Sequence, residues 1–306
     1  MKNFAFYINN IFKSLIPNYF FQRKLNYWLQ EASKYPEAEI QERLSYYITN
    51  NKGKLADNAI AIKDFKRPKK GTMYYYDLVQ YTRYFKNHLK IKFKFGDIQE
   101  NQNSLTIVKS RPIDHTGNSV LMKLDALRHF YFVNDTIPFT EKKNEAVWRG
   151  YIHKENRRSL VGKFHNHPQC NIGNIPLHNE NPDWAKPFIS IEEQLQYKFI
   201  LSIEGHDVAT NLKWIFSSNS LCFMPTPKFE TWFMEGKLIP NVHYVHLKDD
   251  YSDMLEKMDY YATHEDEALI IIKNAQNWVA RFLDEKLEKI ISLKVLETYF
   301  KSTNQI

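Results

Sequence analysis

YKFILSIEGHDVATNLKWIFSSNSLCFM, running from Tyr197 to Met224, carries the reading of the fold. A mainly apolar run, Lys198–Ile203, stops at Glu204-Gly205, and Asp207 stands where it caps a helix expected over Val208–Ser218. Ser220–Met224 then supplies a second strand. Strand, tight turn, helix, strand is the repeating unit of a parallel α/β sheet. In open sheets of that kind ligands sit beyond the carboxyl ends of the strands, where helix N-termini offer N–H groups to anions. Gly205, His206, Asp207, Thr210, Asn211 and Lys213 fall in or beside that place, which suits a phosphate-bearing ligand.

Working outward, the N-terminal region shows the same alternation. Phe4, Tyr7, Ile8, Ile11 and Phe12 share one helical face, with Lys2, Lys13, Arg23 and Lys24 among or after them. Such a helix either lies on an anionic membrane surface or packs as the first helix of the body. Asp77–His88 reads as a helix, Ile91–Phe95 as a strand ending at Gly96-Asp97, and Leu105–Val108 as a second strand ending at Lys109-Ser110-Arg111-Pro112. Tyr131–Val133 is expected as a third. The polar run Glu141–Asn144 marks a boundary, giving domains over 1–143 and 144–276. Downstream of it come a strand into Arg149-Gly150, a helix from about Asn156 and an irregular loop over Asn171–Pro187 with Pro176, Pro182 and Pro187. Past the central stretch, a strand is expected at His243–Leu247 and a helix from Asp250 or Ser252. Glu267–Phe300 repeats apolar residues at three- and four-residue spacing, a long helical pattern.

The 306 residues suit about two domains, and 43% apolar with 25% charged residues is an ordinary globular composition. Two cysteines, Cys170 and Cys222, give no disulfide framework and fit a reducing cytoplasm. No apolar run approaches the roughly 18 residues of a membrane span, and Met1–Lys24 lacks a secretory core and cleavage site. A net charge of +7 favours anionic partners: nucleic acid, anionic membrane or phosphorylated ligands. The aromatics, 15% of the chain, are scattered as core residues are, which disfavours nucleic acid. No G-x-G pair, phosphate loop, CxxC pair or G-x-S-x-G elbow occurs. His165, His167 and Cys170 lack a fourth metal ligand at a sensible spacing, and a polar loop explains them as well.

Val147-Trp148-Arg149-Gly150, Arg157 and the 197–224 stretch together resemble glycosyltransferase family 90. Glu230-Thr231-Trp232-Phe233-Met234-Glu235, His243-Tyr244-Val245 and Asp249-Asp250-Tyr251-Ser252-Asp253 extend the likeness in order. It is nearest to the bacterial lipopolysaccharide branch, which is related to protein O-glucosyltransferases, and runs from about Phe95 onward. The resemblance implies a GT-B-like α/β fold, two Rossmann-like domains facing across a cleft. The C-terminal domain would hold a UDP-sugar, and the last helix, 277–306, would cross back to the acceptor-side domain. It implies an inverting transfer to a lipopolysaccharide or oligosaccharide acceptor, with no bound metal. Separately, the basic and aromatic residues clustered in Met1–Lys24, with no spanning segment, suggest a cytoplasmic protein loosely attached to the inner face of the cytoplasmic membrane. The alternative is a non-catalytic nucleotide- or glycan-binding protein on the same frame.

Without a metal, the leaving diphosphate needs basic groups and main-chain N–H donors. Arg149, Arg157, Lys213 and the amides from Gly205 to Val208 are the available groups. Arg157 falls where the relatives place a diphosphate-contacting arginine, and the strand-end position adds Gly150, Glu204, His206, Asp207, Thr210 and Asn211 to the expected donor-binding residues. Arg149 either meets the substrate or ties its strand end to a carboxylate. Glu204 and Asp207 either bind sugar hydroxyls or brace the turn. The eukaryotic members carry an arginine where this chain has Asn211, and Lys213 is the available substitute. Inversion also requires a base for the acceptor hydroxyl. The likeness puts Asp97 in that role, where Gly96-Asp97 otherwise simply turns the chain, with Asp114, Asp125 and Asp135 in reserve. Lys109 and Arg111 are expected to contact acceptor or diphosphate, or else to form a loop ion pair. Asp249, Asp250 and Ser252 read as helix caps, and Trp148 and Trp232 as packing residues.

Overall fold

The protein is described by a computed structural model over residues 2–50, 52–115, 117–175 and 181–306, with side chains of residues 2–5, 9 and 14 outside the description. Phe4 and Lys2 of the amphipathic face, and Pro176 of the expected loop, thus lie outside the described residues or side chains. In chain order the first strands are β1 (Ile60–Ala61), β2 (Lys90–Ile91), β3 (Phe93–Lys94), β4 (Thr106–Val108), β5 (Ser110–Pro112) and β6 (Ser119–Leu121). There follow β7 (Lys143–Gly150), β8 (Cys170–Asn174), β9 (Tyr197–Leu201), β10 (Leu221–Met224), β11 (Phe229–Thr231) and β12 (Val245–His246). The helices up to residue 129 are α1 (Lys2–Ser14), α2 (Asn18–Gln22), α3 (Leu25–Glu31), α4 (Glu37–Tyr47), α5 (Thr72–Thr82) and α6 (Ala126–His129). After them come α7 (Glu155–Phe164), α8 (Ile191–Gln194), α9 (Leu212–Phe216), α10 (Met254–Thr263), α11 (Glu265–Ala280) and α12 (Glu285–Ser302).

Two compact units result. Unit 1 holds Met1–Arg128, Phe229–Met234 and Leu283–Ile306; unit 2 holds His129–Lys228 and Glu235–Phe282. Unit 2 is built on one parallel sheet in the order β12-β10-β9-β7-β8. Every residue of β9 and β10 is buried, as expected of strands covered on both faces. Trp148, Phe199, Leu201, Phe223, Met254, Ile271 and Ile272 share the core, so α10 and α11 cover the sheet with their apolar stripes. From β7 the chain passes through α7 to β8 on one side, then returns to β9 on the other. That reversal makes the carboxyl ends of β7 and β9 a topological switch point.

Unit 1 carries a short parallel sheet, β3-β4-β6, and two antiparallel pairs, β1-β2 and β5-β11. Its mass comes from helices. α12 packs against α3, α4 and α5. A buried polar knot holds them: Glu288 accepts from Arg43 at 2.5 Å, from Lys123 at 2.7 Å and from the Trp232 indole at 2.8 Å. The Trp232 ring lies 3.9 Å from that of Tyr47, nearly parallel to it, confirming its packing role. Breaking a buried pair of this kind costs about 3–5 kcal/mol.

Several expectations change. Helix α9 spans only Leu212–Phe216 instead of Val208–Ser218, and Asp207 does not cap it. Asn211 is the reason: its amide donates to the Leu201 carbonyl at 2.9 Å and accepts from Ser202 Oγ at 3.2 Å, pinning the chain to the strand end up to that point. The stretch from Asn171 is not irregular at its start, since Cys170–Asn174 is an edge strand parallel to β7. The prolines fall after it and forbid a strand only where they stand. Tyr131–Val133 forms no strand, and the third strand of the small parallel sheet is β6. Gly71, at φ +72°, starts α5 at Thr72, ahead of the expected Asp77. Ile91–Phe95 splits into β2 and β3, which join different sheets. The polar run Glu141–Asn144 leads straight into β7. The C-terminal helical pattern breaks at Arg281–Asp284, where the Asp284 carboxylate caps α12 by accepting from the Lys286 and Leu287 amides.

Candidate functional site

A pocket opens in unit 2 beyond the carboxyl ends of β9 and β10. It encloses about 590 Å³ counting its open mouth. Val208, Ala209, Leu212, Met224, Pro225 and Pro227 give it an apolar floor, and Asn156, Glu204, Thr226, Lys228 and Asp249 give it polar edges. Size and mixture fit a small polar molecule with a flat apolar part. Tyr251 also lines it. That residue is fully buried in left-handed backbone, φ +61°, and its hydroxyl has no hydrogen-bond partner among the described residues. A buried hydroxyl without a partner costs free energy that a bound ligand recovers. The burial raises its pKa well above the usual phenol value, so it stays a donor.

Arg157 stands behind the Glu204 turn. Its Nε donates to the Glu204 carbonyl at 3.1 Å, and its two terminal nitrogens donate to Ile203 at 2.8 Å and Tyr151 at 3.1 Å. It therefore joins the residues after β7 to those after β9, across the switch point. Gly205 permits this, since a Cβ there would come within 3.0 Å of the guanidinium. Desolvation pulls the Arg157 pKa down to about 10, against the pull of Tyr251, Asp207 and Glu204, and it remains charged at neutral pH. Asn156 adds a further bond to the Glu204 carbonyl at 3.0 Å, and the Glu204 carboxylate accepts from the Lys228 amide at 3.1 Å.

Other expected donor residues are placed elsewhere. Lys213 is fully buried, its ammonium 2.5 Å from Glu235, so it braces the pocket wall from behind. Arg149 spends its guanidinium on the Pro187, Trp148 and Asn171 carbonyls and the Asn171 side chain, at 2.6–3.0 Å, and so ties β7 to β8. Its alternative reading as a strand tie is correct in kind, with carbonyls in place of a carboxylate. At Gly150 a Cβ would meet the Trp148 ring at 2.7 Å. His206 is exposed and stacks on His153 at 4.4 Å; Thr210 is exposed; Asp207 is buried, and its carbonyl receives the Gly205 amide. A five-residue α9 offers no long helix dipole to a phosphate. Of the residues named from the sequence for the donor, the structure brings together Arg157, Glu204, Gly205 and Asp207.

In unit 1, β3 and β4 are parallel neighbours, so the residues after them converge. Asp97, following Gly96 at φ +103°, accepts from the Lys109 ammonium at 2.6 Å, with Arg128 at 3.8 Å. Lys109 is buried and the Asp97 side chain is 32% exposed, so the carboxylate is the reachable half of the pair. Arg128 also meets Asp125 at 2.9 Å, and burial raises the Asp125 pKa. Arg111 is corrected to a structural residue. It is fully buried and donates to Glu230 at 2.7 Å, to the Ser119 carbonyl at 2.7 Å and to the Tyr46 carbonyl at 2.6 Å. Of the reserve aspartates, Asp114 is exposed and Asp135 is held by Lys142 at 2.8 Å and the Asn219 amide at 2.9 Å. His165 bonds the Val161 carbonyl, and no group of three or more metal-ligating side chains converges among the described residues.

Sequence reasoning undervalued Tyr251 and Asp249 and passed over Pro225-Thr226-Pro227-Lys228. The signal was present: a proline-rich tetrapeptide immediately after an apolar strand marks a strand-end loop. A strand-end pocket on a parallel sheet defines the class first, an α/β protein with a pocket beyond the carboxyl ends of β9 and β10. The chain belongs to glycosyltransferase family 90: the model of "Glycosyl transferase family 90" matches residues 122–304. It is 40% identical over 300 residues to "O-glucosyltransferase LpsA" of Dichelobacter nodosus, covering 96% of this chain and 94% of that protein. It is 26% identical over 165 residues to "Protein O-glucosyltransferase 2" of Danio rerio, with 48% of this chain and 31% of that protein aligned. It is 23% identical over 177 residues to "O-glucosyltransferase rumi" of Drosophila pseudoobscura pseudoobscura, 54% of this chain and 42% of that one. The unit 2 pocket lies inside the family match; Asp97, Lys109 and Arg111 lie before it.

Proposed function

We propose that this chain transfers glucose from UDP-glucose to a hydroxyl of a lipopolysaccharide or related surface-glycan acceptor, inverting the anomeric centre. The observation that carries the reading is the unpartnered Tyr251 hydroxyl in a pocket edged by Glu204 and Asp249, in a member of a glycosyltransferase family. An apolar floor suits the uracil ring, and carboxylates suit the vicinal hydroxyls of ribose. The name of the Dichelobacter relative supports glucose as the sugar moved. A GT-B-like division of labour follows, with unit 2 taking the donor and unit 1 the acceptor.

In the reaction the acceptor oxygen bonds to the anomeric carbon as its proton passes to the Asp97 carboxylate. The bond from that carbon to the diphosphate breaks, and its electron pair leaves with UDP. Lys109 holds Asp97 in place. Arg157 supplies positive charge near the departing diphosphate, which in this mechanism needs no divalent cation. The setting is the cytoplasm, consistent with two buried, unpaired cysteines.

Calorimetry and thermal shift with UDP, UDP-glucose, UDP-xylose and UDP-galactose, beside a transfer assay with and without EDTA, test the reading. At a hundredfold excess over Kd a ligand of the folded state adds about 2.7 kcal/mol of stability. UDP-glucose binding with EDTA-resistant transfer is the expected result. Binding without transfer would make the chain a non-catalytic nucleotide-binding protein, and activity restored only by manganese or magnesium would end the metal-free mechanism.

A further inference from the structure

The first thirty residues carry Lys2, Lys13, Arg23 and Lys24 and no acidic residue before Glu31. Helix α1 docks through Phe6 and Tyr7. Phe6 and Tyr7 meet the Tyr76 ring edge-on at 6.2 and 6.1 Å, and Tyr7 Oη lies 3.1 Å from Thr72 Oγ1. Arg83 locks the far end, donating to the Lys13 and Ile16 carbonyls at 2.9 and 2.7 Å while lying 3.7 Å over the Phe21 ring. The stretch from the end of α1 into α2 is apolar and open. Ile11, Phe12, Leu15, Ile16, Tyr19 and Phe20 are 43–73% exposed. Folded soluble surfaces seldom gather so many large apolar side chains in one short segment without a partner.

Beside this face, within the same unit, lies a cavity of about 1170 Å³ counting its open mouth. Lys13, Arg83, Lys123 and Lys289 line it, with Glu285 and Glu288. Glu288 is already met by Arg43 and Lys123, which leaves Glu285 against Lys13, Arg83 and Lys289. The Lys289 ammonium sits 3.7 Å over the Trp28 ring and 4.8 Å over Tyr84. Burial, Lys24 and Lys13 together pull its pKa down to about 8, the mark of a cation short of an anion. Arg83 is 5% exposed, and its buried Nε has no hydrogen-bond partner among the described residues. Open apolar side chains next to cations short of an anion match the two layers of a bilayer surface, acyl chains and headgroup phosphates.

We infer that residues 11–20 and the adjoining cavity form a docking face for a bilayer of anionic phospholipid. The apolar side chains enter the interface, and a headgroup phosphate enters the cavity between Lys13, Arg83 and Lys289. A protein partner would need to supply the acidic charge, whereas an anionic bilayer supplies charge and apolar depth at once. No described helix is long and apolar enough to cross a membrane, so the contact is with the surface.

The test is co-sedimentation of the full chain with vesicles of phosphatidylcholine alone, and of phosphatidylcholine with phosphatidylglycerol at roughly two to one. It involves no sugar transfer, so its failure is distinct from failure of the transferase reading. The chain is expected to sediment only with the anionic vesicles, and raising salt fivefold should weaken binding about tenfold as the charges are screened. Phe12→Ser with Leu15→Ser touches two exposed residues and should cost at least about tenfold in binding with an unchanged Tm. Lys289→Gln should cost about threefold to fivefold on anionic vesicles. Equal sedimentation with both vesicle types, or undiminished binding by the Phe12/Leu15 double variant, would overturn the inference. So would a salt-resistant dimer of the free chain that the double variant dissociates, because the face would then belong to a second copy.

Discussion

Lys109 in unit 1 and Lys213 in unit 2 are both buried and both held by a carboxylate, at 2.6 and 2.5 Å. Their partners differ: Glu235 is 1% exposed and Asp97 32%. A fully closed pair braces a wall, and its worth is stability. A pair open on the acid side presents an oriented carboxylate to whatever arrives. Two lysines that look alike in sequence thus serve different ends, and the exposure of the partner decides which.

The comparison is broken most directly at Asp97. Asp97→Asn keeps the shape and removes the basicity, so transfer should fall by roughly two to four orders of magnitude with UDP affinity unchanged in calorimetry. Near-native transfer by this variant would place Asp97 with the structural pairs. Lys213→Met is the matching change in unit 2. It takes the ammonium away from the buried Glu235 carboxylate, and chemical denaturation should report a loss of about 3–5 kcal/mol. The same substitution made at an open pair would cost far less.

A third test uses acidity. Asp77 is buried in unit 1, and desolvation raises its pKa to about 7, with the Ala126 amide at 2.9 Å opposing the rise. The folded pKa lies above the unfolded value, so the neutral form belongs to the folded state. The stability from this group is full below pH 4, declines as pH rises through 7, and is level above that. The loss is on the order of 2–4 kcal/mol, and Asp77→Asn should flatten the slope and leave the variant more stable than wild type at pH 8. A slope unchanged in the variant would assign it to other groups.

Smaller effects sharpen the donor pocket. Arg157→Ala should weaken UDP binding about tenfold to a hundredfold, because it removes the three bonds that fix the Glu204 turn and the positive charge behind it, and should slow transfer as well. Smallest is Tyr251→Phe. Because the hydroxyl has no partner in the free protein, its loss should leave the Tm unchanged or slightly raised while UDP affinity drops several-fold. A drop in Tm instead would mean that the hydroxyl is already satisfied.

Unit 2 was largely legible. Lys198–Ile203 and Ser220–Met224 are short, nearly continuous apolar runs, and burial on both faces writes such strands into the sequence in that form. In unit 1, β1, β2 and β3 have two residues each, too few for any period to show. The Asp97–Lys109 pair was approached through the family likeness and the strand-end position. What could not be read were side-chain commitments made over long separations. Arg111 reaches Glu230 across 119 residues, and nothing local distinguishes it from Arg157. Tyr251 was hidden for the opposite reason, since a group defined by a missing hydrogen bond leaves no mark in sequence.

The Arg43–Glu288 bond joins residues 245 positions apart, and its far half belongs to a helix that completes unit 1. On a ribosome adding about 5–20 residues each second, Arg43 emerges roughly 12–50 s before its partner. Through that interval the pocket that receives α12 exposes apolar surface, while the elements of unit 2 have already been made. The order of completion therefore runs against the order of the chain: the unit that begins first is finished last, and its N-terminal helices wait longest for their partner.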